Sequence, residues 1–202
     1  MKNILVNPKV SVNKIRKEVN DVIDQALVNW LIKNSYNPII ISNKNLIMPK
    51  KKFYKFLKLI KIEGIVLSGG NDGDHRNPRY KSQVFLIDYA KKNKIPILGI
   101  CQGMQMLGYK FGSKLMKVKN HVKTRHKLIN LTEQKFPTYV NSYHNYSLKD
   151  CPKNFYITTK AFDGNIESIK HKSLNWEGWM WHPEREKKIN KIDNYRLKKI
   201  FK

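Results

Sequence analysis

Ile95-Pro96-Ile97-Leu98-Gly99-Ile100-Cys101-Gln102-Gly103-Met104-Gln105 is the stretch on which the reading of the whole chain turns. An apolar run suited to a strand buried on both faces stops at a cysteine with a glycine two residues before it and another two residues after. That is the spacing of a nucleophile elbow, with sulfur in place of oxygen. A residue at such a corner is pushed into a strained backbone conformation, and strand and helix approach closely only if their neighbours are small. Gly99 and Gly103 meet that need. The helix that follows leaves free amides beside the thiol, where they lower its pKa and can hold an oxyanion. A cysteine after an apolar strand is also an ordinary small hydrophobe, so the case for chemistry depends on what the rest of the chain brings.

Immediately upstream, Gly64-Ile65-Val66-Leu67 reads as a strand that runs into Ser68-Gly69-Gly70-Asn71-Asp72-Gly73. Earlier still, Ile4 to Val6 is a first strand ended by Pro8, and Ile39 to Ile41 a second. Between them Ile15, Val19, Val22, Ile23, Ala26, Leu27, Trp30 and Leu31 fall at helical spacing and predict one helix. Lys51 to Ile60 predicts another, with Phe53, Phe56, Leu57 and Ile60 on one side, and Gln83 to Asn93 a third. Apolar strands alternating with helices imply an α/β fold whose parallel sheet is covered on both faces, with ligands beyond the carboxyl ends of the strands. Ser68 to Gly73 and Cys101 both lie at such ends. Beyond Gly112 short strand-like pieces at 127–131, 138–141, 155–160, 166–169 and 176–181, with an Asp163-Gly164 turn, predict antiparallel additions, and 189–201 a basic closing helix.

The aromatic strand Trp176-Glu177-Gly178-Trp179-Met180-Trp181 delivers His182-Pro183-Glu184. Residues i and i+2 on extended backbone project to one side, so His182 and Glu184 can be presented together. A thiol, an imidazole to shuttle its proton and a carboxylate to orient the imidazole are the parts of a nucleophilic catalyst.

With 202 residues the chain is long enough for one domain with a sizeable core. Forty basic against fifteen acidic residues give a formal charge of +25. Only six of the basic residues are arginine, and the lysines are spread over the whole length beside many asparagines and isoleucines, so the charge reads as compositional bias. No basic helix interleaved with aromatics is visible, and no dedicated nucleic-acid partner is expected. Cys101 and Cys151, the two cysteines, make neither a disulfide framework nor metal-ligand spacing. No apolar run has the length of a signal peptide or membrane span, so a cytoplasmic location without membrane contact is expected.

Four motifs, Leu67-Ser68-Gly69-Gly70-Asn71-Asp72, Gly99-Ile100-Cys101-Gln102-Gly103-Met104-Gln105, Val140-Asn141-Ser142-Tyr143-His144 and His182-Pro183-Glu184, resemble the class I glutamine amidotransferase superfamily, and within it the stand-alone γ-glutamyl hydrolase branch. The resemblance implies a single domain over 1–202, a three-layer sandwich around a mostly parallel sheet, and a Cys101, His182, Glu184 triad. It further implies an oxyanion hole from the amides of Gly70 and Gln102, and glutamyl contacts from Gln105, Asn141, Ser142, Tyr143 and His144. The block His121 to Leu128 is similar to a piece of γ-glutamyl hydrolases encoded near surface-polysaccharide genes, including those similar to γ-glutamyl-CDP-amidate hydrolase. Arg125 and His126 in that block, with His75, Arg76, Arg79 and His121, are the expected contacts to an anionic leaving group. The chain departs from the family pattern after the glycine loop, where Arg79 is followed by Tyr80, and Gln83 stands near where the family has an acid.

The activity so implied is hydrolysis of a small-molecule γ-glutamyl amide through a glutamyl thioester, with no metal or organic cofactor. A glutaminase subunit serving a partner synthase is the alternative, slightly disfavoured because no synthetase sequence is fused here. A homodimer is left open.

Overall fold

The computed structural model describes residues 1–71 and 78–202, so Asp72, Gly73, His75 and Arg76 lie outside the described residues. One sheet of nine strands runs through the molecule in the order β4-β1-β5-β6-β13-β12-β11-β8-β9. Its first five strands are β4 (Tyr36–Ile40), β1 (Lys2–Asn7), β5 (Ile62–Leu67), β6 (Ile97–Ile100) and β13 (Trp176–Trp179), all paired in parallel. The remaining four, β12 (Ile166–His171), β11 (Phe155–Ala161), β8 (Val122–Asn130) and β9 (Tyr139–Tyr143), continue it antiparallel. Two short strands, β7 (Leu115–Lys117) and β10 (Tyr146–Leu148), pair separately.

Alternation along the central strands sorts the core into two layers. Leu5, Ile65, Leu67 and Ile97 face α2 (Lys50–Leu59), α3 (Pro78–Asn93) and α4 (Gln102–Lys110), packing with Phe53, Leu57, Ile87, Ala90, Met104 and Leu107. Ile4, Val6, Val66 and Leu98 face the other way, onto Leu27, Trp30 and Leu31 of α1 (Gln25–Lys33) and Leu197 and Ile200 of α5 (Lys191–Ile200). All these strand residues are wholly buried, as a parallel sheet covered on both faces requires. The expected three-layer α/β architecture is therefore present. Among the described residues no helix is long and apolar enough to cross a membrane.

The long helix expected from Ile15 to Leu31 is not formed. Its first half is instead the turn and second strand of a hairpin, β3 (Glu18–Val22) paired with the preceding β2 (Lys9–Asn13), and only Gln25–Lys33 is helical. Val10, Val12, Val19 and Val22 are β-branched and suit strands. Asn13 closes the turn by accepting from the amides of Ile15 and Arg16, and Lys17 takes the left-handed conformation that ends it. Ile15, counted as the first residue of an apolar stripe, sits exposed at the tip. Asp24 then caps α1 by accepting from the Ala26 amide at 3.0 Å. The third helix also begins earlier than expected, with Pro78 in its first position.

Candidate active site

Cys101 occupies φ 51°, ψ −106° between β6 and α4. An L-residue is held there only if the surroundings over-determine it. They do: its amide donates to the Trp179 carbonyl at 2.7 Å and its carbonyl accepts from the Gln105 amide at 3.0 Å. The two flanking glycines are needed for contact. A Cβ on Gly103 would collide with the Leu67 carbonyl oxygen, and one on Gly99 would lie 2.7 Å from the Gly103 carbonyl group. Strand β5 and helix α4 thus meet backbone to backbone at the corner.

His182 reaches the same end of the sheet from the strand beside β6. Strand β13 ends at Trp179, and Pro183–Arg185 form a single 3-10 turn closed by Arg185 N to His182 O at 3.1 Å. The extended His-x-Glu expected from sequence is therefore corrected. Proline at the first turn position supplies a φ that suits a helical turn, and the turn brings Glu184 Oε1 to 2.6 Å from His182 Nδ1. Both residues are buried. Burial alone would lower the imidazole pKa, but the charges of Glu184 and Cys101 and hydrogen bonds with both outweigh it, and the ring is pushed up to about 10. The imidazolium form is favoured, with Nδ1 committed to the carboxylate.

Two neighbours fix the ring further. Asn141 on β9 clamps the His182 backbone, accepting from its amide at 2.9 Å and donating to its carbonyl at 2.7 Å. A Cβ on Gly69 would strike His182 Cε1, so the glycine loop after β5 lies directly against the imidazole. Gly70 has φ 95° and Asn71 φ 56°, which turn that loop back beneath the hairpin. Asn71 pins it there with reciprocal bonds to the Val10 backbone at 2.8 and 2.9 Å.

Arg79, counted among residues for an anionic leaving group, serves the loop instead. It is buried, and its guanidinium donates to the carbonyls of Ser68, Gly69, Gly70 and Asn7 and to the Asn7 side chain. Burial lowers its pKa to about 9. Gln83 pairs reciprocally with Gln102 at 2.8 and 3.1 Å, so its amide orients the residue after Cys101. Arginine shortly after a glycine loop was visible in the sequence; that it faces back onto the loop was not.

The remaining predicted contacts divide. Gln105 is buried and donates to the Tyr146 carbonyl at 3.0 Å. Tyr143 packs edge-on to His182 at 5.9 Å between centroids. Arg125 is half exposed and makes both nitrogen-to-oxygen bonds from one Nη1 to Glu186, at 2.8 and 2.9 Å. His144, His121 and His126 gather around Glu167 on β12, a wholly buried carboxylate that sequence reading missed, and Ser142 donates to the His121 carbonyl beside them.

Residues 17–199 match the family model for glutamine amidotransferase class-I. Among curated proteins, the chain is 36% identical over 148 residues to γ-glutamyl-CDP-amidate hydrolase of Campylobacter jejuni, covering 69% of each. It is 28% identical over 186 residues to a glutamine-hydrolysing GMP synthase of Dictyostelium discoideum, covering 83% of this chain but 24% of that protein. It is 36% identical over 97 residues to anthranilate synthase component 2 of Methanocaldococcus jannaschii, covering 45% and 49%. The fold matches the crystal structure of a putative GMP synthase subunit from Thermoplasma acidophilum with TM-score 0.73 at 20% identity, over 100% of this chain and 92% of that one.

Proposed function

The chain belongs to the class-I glutamine amidotransferase family, and on that premise we propose that it is a cysteine-dependent amidohydrolase of small-molecule γ-glutamyl amides. The observation that carries the proposal is the convergence of Cys101 in its strained elbow, His182 hydrogen-bonded to Glu184, and the glycine loop packed on the imidazole.

In this reading the Cys101 thiolate attacks the γ-carbonyl carbon and the carbonyl π pair moves onto oxygen. The amides of Gly70 and Gln102 receive that oxyanion. Collapse of the tetrahedral intermediate breaks the C–N bond as the imidazolium of His182 protonates the departing nitrogen, leaving a γ-glutamyl thioester. Neutral His182 then takes a proton from water, the hydroxide adds to the thioester, and glutamate leaves with regeneration of the thiolate and imidazolium. Glu184 holds Nδ1 throughout, so that Nε2 is the atom that exchanges the proton.

The leaving group we propose is anionic and phosphate-bearing, of the kind named in the Campylobacter relative, whose identity extends over two thirds of both chains. A nucleotide amidate of this kind would place the reaction in surface-polysaccharide modification. The excess of positive charge favours such a group, and Arg125 is an exposed guanidinium tied to the turn that carries His182 through Glu186. A second reading, a glutaminase subunit delivering ammonia to a synthase, is favoured by the match to anthranilate synthase component 2 and to GMP synthases.

Incubating the purified chain alone with a phosphorylated γ-glutamyl amide, a neutral γ-glutamyl amide and glutamine, with products followed by mass spectrometry, separates these readings. The hydrolase reading expects partner-free turnover and the largest kcat/KM for the phosphorylated compound. Turnover of glutamine alone, and only with a synthase added, would replace it by the second reading.

A further inference from the structure

We propose that His121, His126, His144 and Glu167 form a binding site for a single zinc ion, separate from the Cys101 thiol. His121, His126 and Glu167 each offer a donor atom, all within 4.8 Å of one another. His144 Nε2 joins them, 3.2 Å from His121 Nδ1 and 3.4 Å from Glu167 Oε1. His126 Nε2 lies 3.3 Å from Glu167 Oε2, and His121 Nδ1 3.6 Å from Glu167 Oε1. Four donors about 2.0–2.1 Å from a tetrahedral zinc stand roughly 3.3–3.4 Å apart. The separations here bracket that value, with Glu167 Oε1 facing His121 and His144 and Oε2 facing His126.

Proton placement makes the cluster unfavourable without a cation. His144 Nδ1 is 3.0 Å from the Tyr146 carbonyl oxygen, which only accepts, so Nδ1 carries the hydrogen and Nε2 of the neutral ring presents a lone pair. His121 Nε2 is 2.8 Å from Asp163 Oδ2 and in the same way leaves Nδ1 bare. Ser142 cannot serve Nδ1, because its hydroxyl donates to the His121 carbonyl at 2.7 Å. Two lone pairs and a carboxylate therefore point at one another. His126 Nε2 and both Glu167 oxygens are buried with no hydrogen-bond partner, and Glu167 is wholly inaccessible. Orphaned buried groups of this kind are heavily penalised unless something else satisfies them.

The outer contacts are those of a metal centre. A histidine ligand commonly donates its second nitrogen to a carboxylate or a backbone carbonyl. Asp163 and the Tyr146 carbonyl fill those positions here, and Asn165 holds Asp163 Oδ2 at 2.7 Å. Local backbone also favours convergence. His121 and His126 are five residues apart, which in a regular strand would send them to opposite faces. The register of β8 against β9 slips between Val122 and Thr124, with Lys123 at φ 55°, and that extra residue restores both rings to one face. Three imidazole nitrogens and one carboxylate are a donor set that suits tetrahedral zinc. Such a closed site would tie β8, the β9–β10 connection and β12 together, beside the strand whose Asn141 clamps His182.

Untagged protein stripped with a chelator, then titrated with zinc and separately with cobalt, tests the site by metal content and visible absorption. Expected are one zinc per chain by elemental analysis, tetrahedral cobalt d–d bands with no thiolate charge-transfer band, and retention of both in Cys101→Ala. Glu167→Gln should weaken zinc binding by about tenfold or more. Failure to retain zinc at stoichiometric loading, an octahedral cobalt spectrum, or binding lost with Cys101 and unaffected by Glu167→Gln would each overturn the proposal. If Glu167→Gln does not fold, the wild-type cobalt spectrum and the Cys101→Ala retention decide. None of these readouts depends on the γ-glutamyl hydrolase reading.

Discussion

Gly69→Ala displaces the base while removing no reacting side chain. The Cβ it adds would lie 3.2 Å from His182 Nε2 and closer still to Cε1, whereas carbon atoms at rest sit about 3.5–4.0 Å apart. The ring must retreat by roughly 1 Å, and a misplacement of that size in a catalytic group lowers the rate by on the order of a hundredfold, about 2.7 kcal/mol in barrier height. Gly69 does not need a left-handed φ, unlike Gly70, so the backbone tolerates alanine. The stability loss should be that of modest overpacking, about 1–3 kcal/mol, which for a chain of this size lowers Tm by about 2–4 °C per kcal/mol. Initial rates of glutamate release over a range of substrate concentrations, with thermal unfolding alongside, read both effects. The expected outcome is a large fall in kcat with a small change in KM and a folded protein. A kcat within about twofold of the parent would refute the placement of His182 by the glycine loop.

Cys101→Ala should abolish hydrolysis with the fold intact, whereas Cys151→Ser, in an exposed turn after β10, should leave the rate near normal; activity and circular dichroism check both. Glu184→Gln removes the largest influence that raises the His182 pKa, so the alkaline limb of kcat/KM should move toward acid by about one pH unit or more, with a smaller rate loss than His182→Ala and no additivity between the two. Because the folded His182 pKa lies above the free value of 6.5, its stabilising contribution is complete below 6.5 and is lost as pH rises through about 10; in Glu184→Gln denaturation curves should show that loss at lower pH. Asp193, raised by burial from 3.8 to about 7 despite the Trp181 hydrogen bond, contributes stability below 3.8 that is lost as pH rises through about 7. Asp193→Asn should therefore be more stable than the parent above pH 7 and indistinguishable at pH 4, as measured by urea unfolding.

The parallel core and the elbow were legible because their determinants are local. Burial of both faces of β1 and β5 appears as unbroken apolar runs, and the Cys101 corner as a glycine spacing. The β2–β3 hairpin was not, because Ile15, Val19 and Val22 happen to fall at helical spacing with the true helix that follows, and the deciding turn is set by one short side chain, Asn13. His182 and Glu184 were correctly paired, though through a 3-10 turn where extended backbone was expected. What sequence hid was mostly long-range and polar. Arg79 serves carbonyls ten residues back, Asn141 clamps a backbone 41 residues on, and Glu167 sits amid histidines from distant parts of the chain. No periodicity records such pairings. The bulge at Lys123, which sets the direction of His121 relative to His126, has no glycine to announce it.

The proposed chemistry depends above all on Cys101 carrying the glutamyl group between two half-reactions. Acid quenching during steady-state turnover, followed by proteolysis and mass spectrometry of the peptide containing Cys101, tests this directly. A γ-glutamyl adduct on Cys101 that forms with substrate, disappears when substrate is exhausted and is missing in Cys101→Ala is the predicted result. Turnover at the parent rate by Cys101→Ala, or an adduct found on Cys151 with Cys101 unmodified, would contradict it.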